Sequence, residues 1–443
     1  MALVGVGLPP AVRAETLTLD QALSAAYETN TQLEAQRAAL RATDEDVATA
    51  ISGWRPTVTA NASYGYTHDR TQPPDFFALA PNGHPRDAGV TITQPLLNGT
   101  TIPQTREAKA EVMAGRAQLT SAEQSTLLNA AKAYFDVLAN EAELDYKRHN
   151  ASLLTDQFHM TEERVAIRDL ARSDLDLVQA RLSSANADVA TAEANLANAR
   201  AAFLRTVGRP VTTLEQSPKL PTMPPSEDGA MTLALADNPD LVGAKYALQQ
   251  ADAALTAAYG ALAPTLSLQL QYRRSADEIA PGVRDSSLSA VGQLRMPLYQ
   301  SGTEYAQIRR TVELRSKAVM QAADQERVVR QGVDSAWQTL AAARSAAGLN
   351  RQQVQAAQSA YNGIVIGVRA GERTTFDVLN AEQDLDSAQV ALVESERQYN
   401  ETTFQLLAAI GELTARGLKL PVTLYDPVAH YDKDVRSWIG TGN

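Results

Sequence analysis

The spacing of apolar residues separates this chain into long helical segments and short strand segments. From residue 17 to about residue 52, apolar side chains recur at helical spacing, with a break at Asn30. The period changes to two at 57–66, where apolar residues alternate with small polar ones, and this predicts a strand with one apolar face. A second strand is predicted at about 88–97. The intervening residues 67–87 are rich in proline, aspartate and glycine and are predicted to form a loop.

Two long helical segments follow these strands. The first runs from about residue 102 to residue 168 and predicts a rod of about 100 Å, at about 1.5 Å per residue. Its larger apolar residues are spaced by fours and sevens, which is typical of a coiled coil. The second runs from Asp174 to Val207. It is predicted to end at Gly208, because glycine is common just after a helix C-terminus.

The same order of elements returns in the second half of the chain. Asn238 matches Asn30 (238 − 30 = 208) and Gly411 matches Gly208 (411 − 208 = 203). Agreement across helices and strands predicts an internal duplication. Repeat 1 is predicted at 15–208, with a strand hairpin at 55–97, and a proline-rich connector follows at 209–229. Repeat 2 is predicted at 230–411; it contains a strand hairpin at 263–298, around a loop at 273–287, and a long helix at 303–368. An unmatched tail covers 412–443.

A tight turn is predicted between the two long helices of the second half. Gly371 can leave the helical conformation without steric strain. Thr374 and Asp377 match the [ST]-x-x-[DE] capping box, so a new helix is predicted to begin there. This arrangement places Arg373 and Asp377 at the tip of an antiparallel helix pair.

The first half contains an equivalent stretch at 170–180. If the capping boxes are aligned, Ser173 and Asp176 take the places of Thr374 and Asp377 (377 − 176 = 201). If the helix ends are aligned instead, the acidic residue of this turn is Asp174 (377 − 174 = 203). The sequence leaves both alternatives open.

Composition and motifs argue against several classes of function. The net charge of −11 argues against a nucleic-acid partner. The absence of cysteine excludes thiol catalysis and thiolate metal sites. None of the five histidines has metal-ligand spacing with another, and the chain contains no phosphate-binding loop or nucleophile elbow. We therefore expect a protein that is not an enzyme and has no metal or cofactor. Charged residues along its helices are expected to form solvated faces.

Two features point to export and to a membrane. Residues 1–14 are predicted to be the end of a secretory signal that is cleaved after Ala14.

Four strands with an apolar face cannot close a barrel within one chain, and an open sheet edge is very unfavourable in lipid. Closure would need two, three or four chains, giving even strand numbers in the known range. The alternative is a soluble periplasmic coiled-coil adaptor or scaffold protein.

The doubled unit, the proline-rich connector and the turn at 371–381 resemble the TolC-type outer-membrane channels. The tail from Leu420 to Tyr431, with Val435 and Trp438, is similar to tails of that family's type I secretion members. The resemblance implies an α+β membrane protein of Gram-negative bacteria. It implies a homotrimer with a shared twelve-stranded β-barrel in outer-membrane lipid and a long α-helical coiled-coil tunnel across the periplasm. Implied partners are a periplasmic adaptor (membrane fusion) protein and an inner-membrane ABC or other export pump.

The resemblance also implies a gate at the tip of the tunnel. Arg373 takes the position of the family's gate arginine, and Asp377 takes the first acidic position. Asn380 stands at the second acidic position, and Val368 stands where the family has a tyrosine, so this chain departs from the pattern at both. In the first half the acidic partner is Asp174 or Asp176. Alternatively, Asp176 and Asp377 serve only as helix caps. The cargo, protein or small molecule, stays open.

Overall fold

The computed structural model describes residues 16–68, 82–211, 213–278, 282–435 and 437–438. The predicted signal segment and most of the first predicted loop, residues 69–81, lie outside these ranges. The described helices are α1 Leu19–Thr29, α2 Thr31–Ser52, α3 Thr101–Ala166, α4 Arg172–Val207, α5 Glu227–Asp237, α6 Pro239–Gly260, α7 Thr303–Arg369, α8 Thr375–Ile410 and α9 Ala429–Asp434. The described strands are β1 Thr16–Leu17, β2 Thr57–Tyr64, β3 Thr67–His68, β4 Asn82–Gly83, β5 Arg86–Leu97, β6 Thr213–Leu214, β7 Thr265–Ala276 and β8 Arg284–Arg295.

Asparagine residues separate the short helices that precede each pair of long strands. Asn30 ends α1, and its side-chain oxygen accepts hydrogen bonds from the N–H groups of Gln32 and Leu33 at the start of α2. Asn238 ends α5 and makes the matching bonds at the start of α6. A side chain that satisfies the free N–H groups of the following helix fixes the position of the break. The predicted break at Asn30 is confirmed.

Glycines end α4 and α8 in the left-handed conformation, as predicted. The φ angle is +76° at Gly208 and +90° at Gly411. A Cβ atom at Gly208 would lie 2.4 Å from the hydroxyl oxygen of Thr29, and one at Gly411 would lie 2.6 Å from the carbonyl oxygen of Asp237. Both positions therefore require glycine for conformation and for space.

The chain forms two compact units. The first comprises residues 1–38, 117–242 and 325–425. Its core contains aromatic side chains of three helices: Phe135 packs against Phe404 with ring centroids 5.9 Å apart, and Phe203 is fully buried. The hydroxyl of Tyr134 lies 3.1 Å from the carbonyl oxygens of Leu17 and Glu215, where β1 and β6 pair in parallel. Strand β6 and the start of α5 at residue 227 both lie in the segment 209–229, which the sequence predicted to be a connector without regular structure.

The second unit comprises residues 39–116, 243–324 and 426–443 and contains a four-stranded antiparallel sheet of order β2-β5-β7-β8. Side chains alternate between the two faces of each strand. Cross-strand partners on the first face are mostly apolar and those on the second are mostly polar. The first face carries Val58, Ala60, Ala62, Val90, Ile92, Leu266, Leu268, Leu270, Tyr272, Leu288 and Leu294. The second carries Thr57, Thr59, Asn61, Ser63, Asp87, Thr91, Gln269, Gln271, Ser275, Asp285 and Ser289.

The second hairpin is longer than the sequence predicted. Residues 273–276 and 284–287, which were expected to lie in a polar loop, pair with each other in β7 and β8. The connection between those strands is therefore only residues 277–283. Within the first predicted loop, β3 and β4 also pair. Polar side chains on one face do not prevent pairing, because backbone hydrogen bonds hold the strands together.

The C-terminal tail packs within the second unit. Tyr431 and Val435 contact the cluster formed by Val47, Ala108 and Val112. The guanidinium of Arg55 lies 5.1 Å from the ring centroid of Trp438, a cation–π arrangement. None of the helices in the described ranges combines the length and the hydropathy that a membrane-spanning helix needs.

Candidate functional site

The turn between α7 and α8, here called the second-half turn, has the predicted capping box. Thr374 is the N-cap of α8, and its side-chain oxygen accepts a hydrogen bond of 3.3 Å from the N–H of Asp377. In return, Asp377 Oδ2 accepts bonds from the N–H of Thr374 at 2.9 Å and from its hydroxyl at 2.8 Å. Gly371 has φ +81°, so the chain leaves α7 in a conformation that glycine adopts without strain.

These contacts keep Asp377 ionised. The backbone N–H and then the hydroxyl of Thr374 hold the pKa of this carboxyl below its ordinary value, and the charge of Arg373 adds a smaller effect in the same direction. Both hydrogen bonds from Thr374 end on Oδ2. Within the described residues no donor reaches Oδ1, so this oxygen is available to a cation or to a partner chain.

Arg373 is exposed and takes no part in the cap. Its stem packs against the last turn of α7, where a Cβ on Gly367 would lie 2.8 Å from Arg373 Cγ. Among the described residues, no ion pair within 4.0 Å joins Arg373 to Asp377. An ion pair between these two residues would therefore have to form between chains. Asn380 is half-buried one turn further along α8.

The first-half turn, between α3 and α4, follows the helix-end alignment. Ala171 is the N-cap of α4, and Asp174 Oδ2 accepts a hydrogen bond of 3.3 Å from its N–H. Asp174 thus stands where Asp377 stands in the second half. The capping-box alignment is wrong: Ser173 lies inside α4, and both Ser173 and Asp176 are exposed without a hydrogen bond or ion pair in the described structure. Alanine offers no side-chain acceptor, so only half of a capping box forms.

Arg168 occupies the position that corresponds to Gly371 (371 − 168 = 203). Its φ angle is +62°, a left-handed conformation that costs a non-glycine residue about 1–2 kcal/mol. The neighbouring residues hold this conformation. Asp169 donates its N–H to the carbonyl of Arg164 at 2.9 Å, and the Arg164 side chain pairs with the Asp169 carboxylate at 2.8 Å.

An apolar cluster supports both turns. Leu379 of α8 packs with Ala151 and Leu154 of α3 and with Val178 and Ala185 of α4. The helix pairs that carry the two turns therefore share one core, and the positions of Asp174 and Asp377 are fixed relative to each other.

A buried charged cluster lies just beyond that core. Glu382 and Asp386 of α8 are only 6% and 7% exposed. Lys147 of α3 contacts Asp386 at 2.7 Å and lies 3.9 Å from Asp188 of α4. Glu382 Oε1 and Asp386 Oδ1 have no hydrogen-bond partner within the described chain. The expectation that charged helix faces are solvated is wrong here.

Burial is the main influence on the pKa of Glu382. It raises the pKa of Glu382 to about 7, and the negative charge of Asp386 adds to the shift. The pKa of Tyr361 on α7 is also raised, by burial and then by the charge of Glu382. The spacing of Leu379, Glu382 and Asp386 (i, i+3, i+7) places both acids on the stripe that faces the neighbouring helices. That spacing is the sequence signal for their burial.

Across the residues that the structure describes, no group of three or more His, Cys, Asp or Glu side chains could hold a metal ion. The arrangement at the two turns instead offers fixed carboxylates and an exposed arginine. Such groups can form ion pairs with other chains or attract passing ions.

Comparisons with known proteins agree on one class. Residues 22–209 and 230–412 match the family model described as outer membrane efflux protein. The chain is 32% identical over 425 residues to the outer membrane efflux protein BepC of Brucella suis biovar 1 (strain 1330), covering 96% of this chain and 91% of that one. It is 23% identical over 339 residues to the alkaline protease secretion protein AprF of Pseudomonas aeruginosa, covering 75% and 70%. Its fold matches the Campylobacter jejuni CmeC outer membrane channel with a TM-score of 0.81 at 16% identity, covering 94% and 89%.

Proposed function

Because this chain belongs to the outer membrane efflux protein family and is an outer-membrane export channel with a periplasmic tunnel, we propose that it works as a homotrimer docked to an inner-membrane pump through a periplasmic adaptor. The alternative of a soluble adaptor or scaffold is not supported, because the family match covers both halves of the chain. Relatives of this class are channels rather than enzymes.

The sheet supports closure with other chains. Within the described chain, β2 and β8 each pair on one side only, so each leaves a row of backbone groups without partners. A membrane offers no water to satisfy those groups. Four strands from each of three chains would form a closed barrel with its apolar face toward lipid and its polar face toward the lumen.

Light scattering in detergent tests this closure. We expect a trimer, because edges β2 and β8 of neighbouring chains satisfy each other. A monodisperse monomer that still binds detergent would contradict the shared barrel.

Single cysteines test the orientation of the channel, since the chain has none of its own. Val283 lies in the exposed connection between β7 and β8, and Ser173 lies at the first-half turn. Val283→Cys should react with an impermeant maleimide on intact cells. Ser173→Cys should react only after the outer membrane is opened. Val283 is preferable to Gly282, whose φ of +86° would strain any other residue. The reverse labelling pattern would invert the orientation.

We also propose that the two turns form the gate. Asp377 is ionised and fixed by its cap, while Arg373 is exposed and unpaired with Asp377 inside the chain. When three chains meet around one axis, Arg373 of each can contact a carboxylate of a neighbour. Asp174, which accepts one hydrogen bond from the N–H of Ala171 at the first-half turn, is the first-half candidate for such a contact. Asn380 adds no charge at this level.

The cargo class follows from the pump. The relatives' names include both efflux and protease secretion. The family's channels supply a passage, and we propose that the docked pump decides between protein and small-molecule cargo.

A further inference from the structure

Three arginines interrupt the apolar face of the sheet at one end. Arg86 and Arg284 are the cross-strand partners of Ala276 on either side, and Arg274 is two residues before Ala276 on β7. Because cross-strand partners and alternate residues share a face, all three side chains rise from the apolar face. We call Arg86, Arg274 and Arg284 the arginine triad.

The order of side chains along β7 gives this face a direction. From one end it reads Leu266, Leu268, Leu270, Tyr272 and Arg274. Apolar residues, then a tyrosine, then a basic residue is the order expected from the hydrocarbon region to the headgroup region of a bilayer. The triad thus lies at the headgroup level of the face that the proposed barrel turns toward lipid.

The local geometry leaves room for a ligand. Ala276 separates Arg86 from Arg284, so these two backbone positions lie about 10 Å apart, at about 4.8 Å per strand spacing. Ala88 faces Arg274 across β5 and β7. These small side chains form the floor of a cavity of about 410 Å³ whose lining includes all three arginines.

The charge of the triad is largely uncompensated. Arg86 pairs with Asp277 at 3.3 Å. Neither Arg274 nor Arg284 has an ion pair or hydrogen bond with another side chain within the described residues. Asp87 belongs to the opposite face, where Ser63 and Asn61 donate hydrogen bonds to its carboxylate. A cationic group at a membrane interface is stabilised when an anion accompanies it.

We propose that the arginine triad binds the phosphate groups of an outer-leaflet lipid. Guanidinium groups form paired, charge-assisted hydrogen bonds with phosphate oxygens. Three of them around one cavity can bind a headgroup that carries more than one phosphate. The apolar rows below the triad receive the acyl chains of the same lipid. The site rests on the proposed barrel, since it needs this face to meet the membrane.

Lipid binding to the purified full-length channel tests the proposal. Detergent-solubilised protein is titrated with lipid A carrying two phosphates, with the same lipid after phosphate removal, and with inorganic phosphate, and bound lipid is counted by native mass spectrometry. The phosphorylated lipid should bind preferentially. Arg274→Gln with Arg284→Gln should weaken its binding at least about tenfold, as expected for the loss of hydrogen bonds to charged groups.

The chain supplies a matched control on the same two strands. Arg273 and Arg295 lie on the opposite face of β7 and β8, so Arg273→Gln with Arg295→Gln removes the same charge and should leave lipid binding unchanged. Equal weakening by both pairs would show general attraction to basic protein and would overturn the site. Equal binding of the dephosphorylated lipid, or competition by inorganic phosphate at equal concentration, would also overturn it.

The failure of the site can be distinguished from the failure of the barrel. Both variants and the unmutated protein are first checked for trimer mass and for conductance in planar bilayers. Normal trimers and conductance with unchanged lipid binding would reject the triad alone. Monomers without conductance would reject the barrel and the triad together, because the face would then not meet lipid.

Discussion

Replacing Arg373 with serine and Asp377 with alanine is expected to raise single-channel conductance several-fold and to make cells permeable to large antibiotics without a pump. In the proposed trimer, three copies of the second-half turn converge on one axis. Asp377 carries its charge there, because the Thr374 N–H and hydroxyl stabilise the carboxylate. Arg373 is the adjacent cation. Each exposed ion pair is weak, but symmetry repeats it and opening must break all copies together.

The structure separates the gate from the cap. Thr374→Ala removes the capping box, at a cost of about 1 kcal/mol, but keeps both charges. Arg373→Ser alone removes a charge and leaves the cap intact. We expect Arg373→Ser to raise conductance and Thr374→Ala to leave it near the original value. If only Thr374→Ala and Asp377→Ala alter the channel, and alter it alike, Asp377 is a helix cap and closure lies elsewhere. Trimer yield should stay constant, because the sheet is unchanged.

Glutamine at position 382 is expected to flatten the pH dependence of thermal stability. The pKa of Glu382 is raised from 4.5 to about 7 in the folded chain, so between these values the folded state binds more protons than the unfolded state. The free energy of unfolding therefore falls as pH rises through this range, by at most about 3 kcal/mol from this residue. Glu382→Gln removes that loss while keeping the shape of the side chain.

Melting temperatures measured at pH 5 and pH 8 in detergent test this expectation. The unmutated protein should melt lower at pH 8, and Glu382→Gln should recover part of the difference, since burial also raises the pKa of Glu123 and Glu401. Asp384→Asn is the matched control, because Asp384 is an exposed acid on the same helix. If Asp384→Asn flattens the profile as much as Glu382→Gln does, burial of Glu382 is not the cause. Asp377 acts in the opposite sense, because its lowered pKa adds stability that is lost on acidification.

Helical periodicity predicted the long helices well. The segment expected at 102–168 is α3 at Thr101–Ala166, and the one expected at 303–368 is α7 at Thr303–Arg369. The end of α4 and the start of α8 were also predicted correctly. Gly208 after α4 favours a left-handed conformation, and the hydroxyl of Thr374 caps the first turn of α8. Strand ends were harder to predict. Arg273 and Arg274 look like loop residues, yet they continue β7 because neighbouring strands satisfy their backbone groups.

The geometry of the second-half turn was predictable from the sequence, and that of the first-half turn was not. Glycine favours the positive φ of Gly371, and threonine is a common N-cap, so both residue types indicate their conformation. Ala171 and Arg168 do not: alanine is a poor cap, and arginine seldom adopts a positive φ. Contacts with neighbouring residues hold Ala171 and Arg168 in these conformations. Ser173 matched a motif but lies one position beyond the first helical residue, where its hydroxyl caps nothing.

The one-sided pairing of β2 and β8 has a consequence for inheritance. If every barrel takes its strands from three chains, a chain with a damaged edge does not fail alone, because it leaves its neighbours' edges unsatisfied as well. In a cell that expresses normal and damaged copies together, most assemblies would contain at least one damaged member. Alleles that prevent β2 or β8 from pairing with a neighbouring chain, while leaving the helices able to associate, should therefore be dominant. Alleles that prevent the chain from folding at all should be recessive.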